Sequence, residues 1–246
     1  MKYMGSKARY AKYLLPLILQ QRQSPNQAYI EPFVGGANMI ENVSGIRIAG
    51  DTNYYLIEMF KALQKGWLPP KVVTESLYKK VQNNKTDYPP ALVGYLGFAM
   101  SFGGKFFGGY RRDKKGQQGD IENMVTQSRR SYDSIVIQVQ KLKDVRFFNL
   151  PYTELPIYPH AIIYNDPPYK DTTKYKAGDF DHDLFWEWCR QMVNKGHLVF
   201  TSEYSAPDDF VSVWAKTVNS SLTQDTGAKK AVENLWVHES QYVYRP

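Results

Sequence analysis

The stretch "AIIYNDPPYKDTTKY", residues 161–175, decides how the rest of the chain is read. Four apolar or aromatic residues, Ala161 to Tyr164, run into an acid, two prolines and a tyrosine. A short apolar run stopped by turn residues reads as a buried strand, and two prolines cannot continue a hydrogen-bonded ladder. The chain must therefore leave its sheet at Asp166. In an open α/β sheet, ligands bind in the crevice outside the carboxyl ends of the strands. Asp166 and Tyr169 are thus expected at the mouth of a site, with a stiffened backbone between them.

Working outward, alternating strands and helices dominate both ends of the chain. "AYIEPF" (28–33), "GIRIAGD" (45–51), "VRFFN" (145–149) and "HLVFTSE" (197–203) read as further strands. Helices are expected from about Ala37 to Val43, over "NYYLIEMFKALQ" and near 181–194. This is the rhythm of a mostly parallel sheet with helices on both faces, an α/β fold. Residues 62–142 break the rhythm: they look helical, with glycine-rich turns and prolines at 69–70 and 89–90. They are expected to form an inserted helical module, leaving 1–61 and 143–246 as the main domain. β-Branched and aromatic runs after residue 216 should close the sheet with antiparallel strands.

At 246 residues the chain can bury a full core. Its single cysteine, Cys189, excludes a disulfide framework and lies in a helical run, where a free cysteine behaves as a small core residue. The four histidines show no paired metal-ligand spacing, so no metal is expected. The basic start and apolar run of "MKYMGSKARYAKYLLPLILQ" invite a signal-peptide reading, but Pro16 interrupts the run and no small-residue cleavage site follows. Nothing approaches the ~20 apolar residues of a membrane span.

The net charge of +7 is unevenly spread: +6 over residues 1–104, +5 over 105–146 and −4 over 147–246. The short middle block is the densest, and its "GGKFFGGYRRDKKGQQGD" interleaves cations with aromatics and glycine. That mixture suits phosphate contact and base stacking, although a solvated surface would have the same composition.

A first ligand signal lies in "YIEPFVGGANM", where Gly35 and Gly36 fall between an expected strand and an expected helix. Such glycines let backbone approach a ligand at a helix N-terminus. Asp51 ends the next strand, 20 residues after Glu31, where a nucleoside-binding fold places an acid for ribose hydroxyls. An ordinary tight turn at the glycines and a helix-capping role for Asp51 are the plainer readings. A nicotinamide cofactor is disfavoured because the three-glycine fingerprint is missing.

Three segments together, "YMGSK" (3–7), "EPFVGG" (31–36) and "DPPY" (166–169), resemble the Dam-like, D12 class S-adenosylmethionine-dependent DNA adenine-N6 methyltransferases. The order of cofactor motif, recognition segment and catalytic tetrapeptide is the same. The resemblance implies a Rossmann-like catalytic domain and S-adenosylmethionine as methyl donor, with S-adenosylhomocysteine as product. It also implies double-stranded DNA as partner, a flipped adenine as acceptor, and a monomer in the cytoplasm of a bacterial or phage-infected cell, in the setting of DNA methylation and restriction–modification. By position in the motifs, Tyr3, Lys7, Phe33, Gly35, Gly36 and Asp51 would hold the cofactor, with Asp166 bordering it. Asp166, Pro167 and Tyr169 would form the target-amine site. Lys105, Tyr110, Arg111, Arg112, Lys114 and Lys115 are assigned to DNA. Family members that modify GATC carry an Asn and a Pro in their recognition loop; "GGKFFGGYRRD" stands here instead and leaves the recognition sequence open.

The chemistry explains the residue types. An adenine amine is a poor nucleophile because its lone pair is delocalised into the ring. The Asp166 carboxylate and Pro167 carbonyl can each accept one N–H, favouring a pyramidal nitrogen aimed at the methyl group. Positioning of this kind can contribute roughly 7 to 11 kcal/mol. Tyr169 offers a stacking face worth ~1 to 3 kcal/mol per base. Cytosine N4 poses the same geometric problem and is the alternative acceptor. A DNA-binding protein with a silent cofactor site is the alternative outside enzymes.

Overall fold

The computed structural model describes residues 1–112, 121–169, 180–219 and 230–242, excepting the side chains of 121, 123, 218, 219 and 230. Its centre is a seven-stranded sheet in the order β3-β2-β1-β4-β5-β7-β6. The strands are β1 (Tyr29–Glu31), β2 (Arg47–Gly50), β3 (Val145–Phe148), β4 (Ile162–Asn165), β5 (Leu198–Glu203), β6 (Phe210–Asn219) and β7 (Lys230–His238). The first five pair in parallel, and β7 and β6 close one edge antiparallel. This is the expected mixed α/β architecture, Rossmann-like in its order. The chain runs outward from β1 through β2 to β3, then restarts beside β1 at β4, so the topological switch point lies between β1 and β4.

Alternation along the strands explains why both faces are covered. Tyr29, Ala49, Ile162, Tyr164 and Phe200 belong to one buried cluster, whereas Ile30, Ile48, Ile163 and Val199 belong to the other. Each residue step turns the side chain to the opposite face, so an unbroken apolar run needs a helix layer on each side. On the first face lie α1 (Ala11–Leu19), α2 (Tyr54–Gln64), α3 (Glu75–Asn83), α4 (Pro90–Gly94) and α5 (Ile121–Lys141). The other carries α6 (His182–Asn194), which buries Phe185, Trp186, Trp188, Cys189 and Met192 along one stripe. Burial pushes the Cys189 thiol well up, in keeping with a core role.

Several local expectations needed correction. Pro32 has no N–H for the ladder, and β1 stops at Glu31 rather than 33. The helix expected over 37–43 is a single 3-10 turn, Ile40–Asn42. Pro16 does not end its apolar run, since α1 passes through it. The described part of the 62–142 block is largely helical, and its Val73, Tyr78, Phe98 and Ile135 share one buried cluster with the sheet face. After α4 the helix widens into a π turn, Tyr95–Ala99, where Gly97 admits Phe106: a β-carbon there would lie 2.4 Å from that ring.

Candidate active site

Because β1, β2, β4 and β5 are parallel, their carboxyl ends meet at one edge. Glu31, Asp51 and Asp166 leave the sheet there, around the switch point. This is the crevice where open α/β sheets bind ligands.

At the β1–β2 side, Gly35 adopts a left-handed φ of +47° and its amide donates to Asp51 Oδ2 at 3.1 Å. The other oxygen, Oδ1, accepts the Asn53 amide at 2.8 Å. The cap of α2 is Asn53, whose side chain accepts from Leu56, so Asp51 is not the capping residue. Burial raises the Asp51 pKa against these two amides. Tyr3 lies over the glycine loop: an added β-carbon would come within 2.7 Å of its ring at Gly35 and 2.6 Å of its Cβ at Gly36. Phe33 stands across from Tyr152, Phe180 and Phe185 at ring separations of 5.4 to 5.8 Å.

On the β4 side, Lys7 crosses from the N-terminal segment to place Nζ 2.8 Å from Asp166 Oδ1 and 3.3 Å from the Gly5 carbonyl. The ammonium lies 4.6 Å above the centre of the Tyr169 ring. It is also 3.6 Å from Glu233 on β7, and the Tyr169 hydroxyl donates to that same carboxylate. Tyr204 packs edge-on against Tyr169 at 4.7 Å. Burial pulls the Lys7 pKa down, but Asp166 and Glu233 together outweigh it and the net shift is upward. Burial raises Asp166 against the pull of Lys7; its side chain keeps 21% of its accessible area, so that desolvation is partial. Pro167 is buried directly after it.

The structure thus brings Lys7, Asp166, Pro167 and Tyr169 into one cluster and Tyr3, Gly35, Gly36 and Asp51 into another. Chemically, the first offers carboxylate acceptors, an aromatic face and a fixed cation; the second offers a carboxylate steadied by two amides. The second fits the ribose and backbone-contact demands of a nucleoside cofactor.

The recognition segment is built differently. A β-bridge joins Ser101 to Tyr110, and Phe102 N–H donates to the Gly109 carbonyl at 2.8 Å. Tyr110 donates its hydroxyl to Val73 at 2.6 Å. Arg111 donates to Ser131 at 3.0 Å, and Arg112 pairs with Glu75. Lys105 is exposed. Lys114 and Lys115 lie outside the described residues. Gly104 accepts from Met4 N–H at 3.3 Å, so this loop docks on the segment that carries Tyr3.

Glu233 and Glu31 were missed from the sequence. Glu233 falls in step with Leu235 and Val237, all buried on one face of β7, and an acid in an apolar period-2 row is the signal that could have found it. Glu31 is 2% exposed, accepts the Tyr29 hydroxyl at 2.9 Å and is pushed well above the usual carboxylate range by burial.

The strand order and the cluster at its carboxyl edge are compatible with an α/β methyltransferase. Residues 3–97 match the model of the D12 class N6 adenine-specific DNA methyltransferase family, which bears out the family seen in the motifs and supports an adenine-specific DNA methyltransferase. Among solved structures, a candidate methylase from Haemophilus influenzae is similar at 10% identity and a TM-score of 0.36, over 95% of this chain and 99% of that one. A candidate methyltransferase complexed with S-adenosylhomocysteine is similar at 12% and 0.37, over 99% of this chain; the chain spans 55% of its length. Both likenesses are too distant to bear on the site. No curated protein matches the sequence.

Proposed function

We propose that the protein transfers a methyl group from S-adenosylmethionine to N6 of an adenine swung out of double-stranded DNA, leaving S-adenosylhomocysteine. The observation that carries this reading is the 2.8 Å Lys7–Asp166 pair at the switch point, with Tyr169 beside it. Bound here, S-adenosylmethionine would supply a methyl group activated on a sulfonium. Asp51 would hold its ribose, while Tyr3, Phe33, Gly35, Gly36 and Lys7 border it. Asp166 and the Pro167 carbonyl each accept a hydrogen bond from one N–H of the amine and turn the nitrogen lone pair out of conjugation. Tyr169 stacks on the extruded base, which repays part of the few kcal/mol that unstacking costs. Once methylated, the amine is cationic and acidic and sheds its proton without a strong base.

Lys105, Tyr110, Arg111, Arg112, Lys114 and Lys115 belong in this reading to the duplex contact. The protein would act as a monomer in the cytoplasm of a bacterial or phage-infected cell; among the described residues no helix is long and apolar enough to cross a membrane. Incubation with tritiated S-adenosylmethionine and DNA, then digestion to nucleosides, tests the proposal. Label is expected in N6-methyl-2′-deoxyadenosine. Label in N4-methylcytosine moves the acceptor, and DNA binding without label leaves a silent site.

A further inference from the structure

The acid on β7 has no role in the mechanism above, yet it is among the most enclosed charges in the molecule. Glu233 keeps 6% of its side-chain area and shares the Lys7 ammonium with Asp166. Two carboxylates thus face one ammonium in a buried space. An aspartate and a lysine alone would balance; among the described residues the third group leaves a negative charge in excess. Burying such a charge is costly unless a cation compensates it.

No other described neighbour supplies that cation. Glu31 on β1 is pushed toward its neutral form by burial, against the hydrogen bond it accepts from the Tyr29 hydroxyl, and supplies no positive charge. Tyr164 on β4, Tyr169 in the loop after it and Tyr204 past β5 are phenols whose burial favours the neutral form. Glu203 at the end of β5 accepts the Tyr204 amide at 2.7 Å and adds no positive charge. Lys216, opposite Glu233 on β6, turns its ammonium onto the rings of Tyr10 and Tyr13 at 5.6 and 5.0 Å.

We infer that Asp166, Lys7 and Glu233 form a cage of net negative charge that favours the cationic methyl donor over its neutral spent product, with Glu233 supplying the excess charge. This rests on the methyl-transfer reading. S-Adenosylmethionine and S-adenosylhomocysteine differ only in one methyl group and the charge it brings, so a preference between them reports the field at that point. Glu233 is a positioning residue here: it acts through its charge, its hold on Lys7 and the hydrogen bond it receives from Tyr169. As the methyl moves, positive charge passes from donor to amine, and a fixed negative cage follows it without reorganising. The donor loses its charge on reaction, which loosens the product.

Calorimetry of the full chain with each nucleoside tests the cage. Glu233→Gln keeps the shape and an acceptor for Tyr169 but removes the charge, and should shift the donor-to-product affinity ratio toward the product by roughly tenfold. Glu233→Asp keeps the charge and should restore most of the ratio. An unchanged ratio in folded Glu233→Gln overturns the inference. Where that variant fails to fold, the wild-type ratio decides. Burial raises both Asp166 and Glu233 while Lys7 pulls both down, so the charge they carry beside its ammonium is lost at a higher pH than an ordinary carboxylate's as pH falls. The preference for the donor should fall with it, the remainder of the two ligands titrating alike; a ratio flat with pH overturns the cage. A wild-type protein that binds neither nucleoside removes the methyl-transfer reading and the cage together. Binding of both with no charge dependence removes the cage alone.

Discussion

The carboxyl edge of the sheet and the loop from Gly97 to Arg112 are built on opposite plans. At the edge, polar side chains converge: Lys7, Asp166, Tyr169 and Glu233 meet within hydrogen-bond or ion-pair distance, and Asp51 holds the glycine loop. In the loop, aromatics converge. Phe106 packs on Phe98 at 4.8 Å and on Tyr55 at 5.9 Å, while Phe107 packs on Tyr78 at 5.2 Å. Chemistry at an amine needs fixed charge, and reading a duplex needs a surface held in shape. The rings named in the loop therefore serve its own architecture before they can serve a base. Phe102 is the exception, 70% exposed beside the bridge that closes the loop.

The sharpest way to break this contrast is Asp166→Ala. If the edge is where reaction occurs, methyl transfer should fall by more than about a hundredfold, the scale of losing one preorganised electrostatic group. DNA affinity, carried elsewhere, should hardly change. Turnover above a hundredth of wild type would contradict the assignment. Asp51→Ala should act next most strongly, through the cofactor. Its carboxylate also steadies the Gly35 and Asn53 amides, so both recognition and loop shape are lost. About a tenfold weaker donor affinity is expected, ~1.4 kcal/mol, with maximal rate largely kept at saturation. Unchanged affinity by calorimetry would return Asp51 to a purely structural role.

Much of the edge was legible because chemistry there is written in local motifs. Asp166 and the prolines stop a strand, and the strand's own apolar run places it at the sheet centre. Gly35 needs a left-handed φ, which marks it in the chain. What could not be read was convergence from afar: Lys7 meets Asp166 across 159 positions, and Glu233 arrives on an antiparallel strand whose register no local pattern sets. The loop was harder. Its composition suggested stacking aromatics, but composition does not say which way a ring faces. Phe106 fills the space over Gly97, and Arg112 finds Glu75, through tertiary packing alone.

Smaller effects are expected from the loop cations. Arginine on guanine is worth ~1 to 3 kcal/mol of discrimination. Arg111→Ala or Arg112→Ala should therefore relax site preference when methylation is mapped by sequencing. For Arg112 the pair with Glu75 must open to reach a base, so Glu75→Gln should ease that opening and strengthen DNA binding. Alanine at Lys114 and Lys115 should weaken binding to all sequences and flatten the salt slope. Should both arginine variants keep the wild-type site set, specificity lies elsewhere in residues 62–142.

The smallest effect sharpens the contrast most finely, because it concerns a residue that could belong to either plan. Tyr110 is among the residues assigned to DNA, where its ring could wedge into the stack as the adenine leaves. In the structure its hydroxyl donates to the Val73 carbonyl, its ring packs edge-on against Tyr78 at 5.5 Å, and the Arg112 guanidinium lies 5.8 Å from its centre. These contacts make it a brace between the loop and the segment ahead of α3. Tyr110→Phe keeps the ring and removes one hydrogen bond, leaving the Val73 carbonyl, among the described residues, with the 3.4 Å bond from Ser128. A brace should then lose about 1 kcal/mol of stability. In a chain of this size that is a fall of roughly 2 to 4 °C in Tm, with methylation rate and site set unchanged. The opposite pattern, an unchanged Tm with weakened DNA binding, would mean that the hydroxyl meets the duplex and that the loop is held by its buried phenylalanines alone.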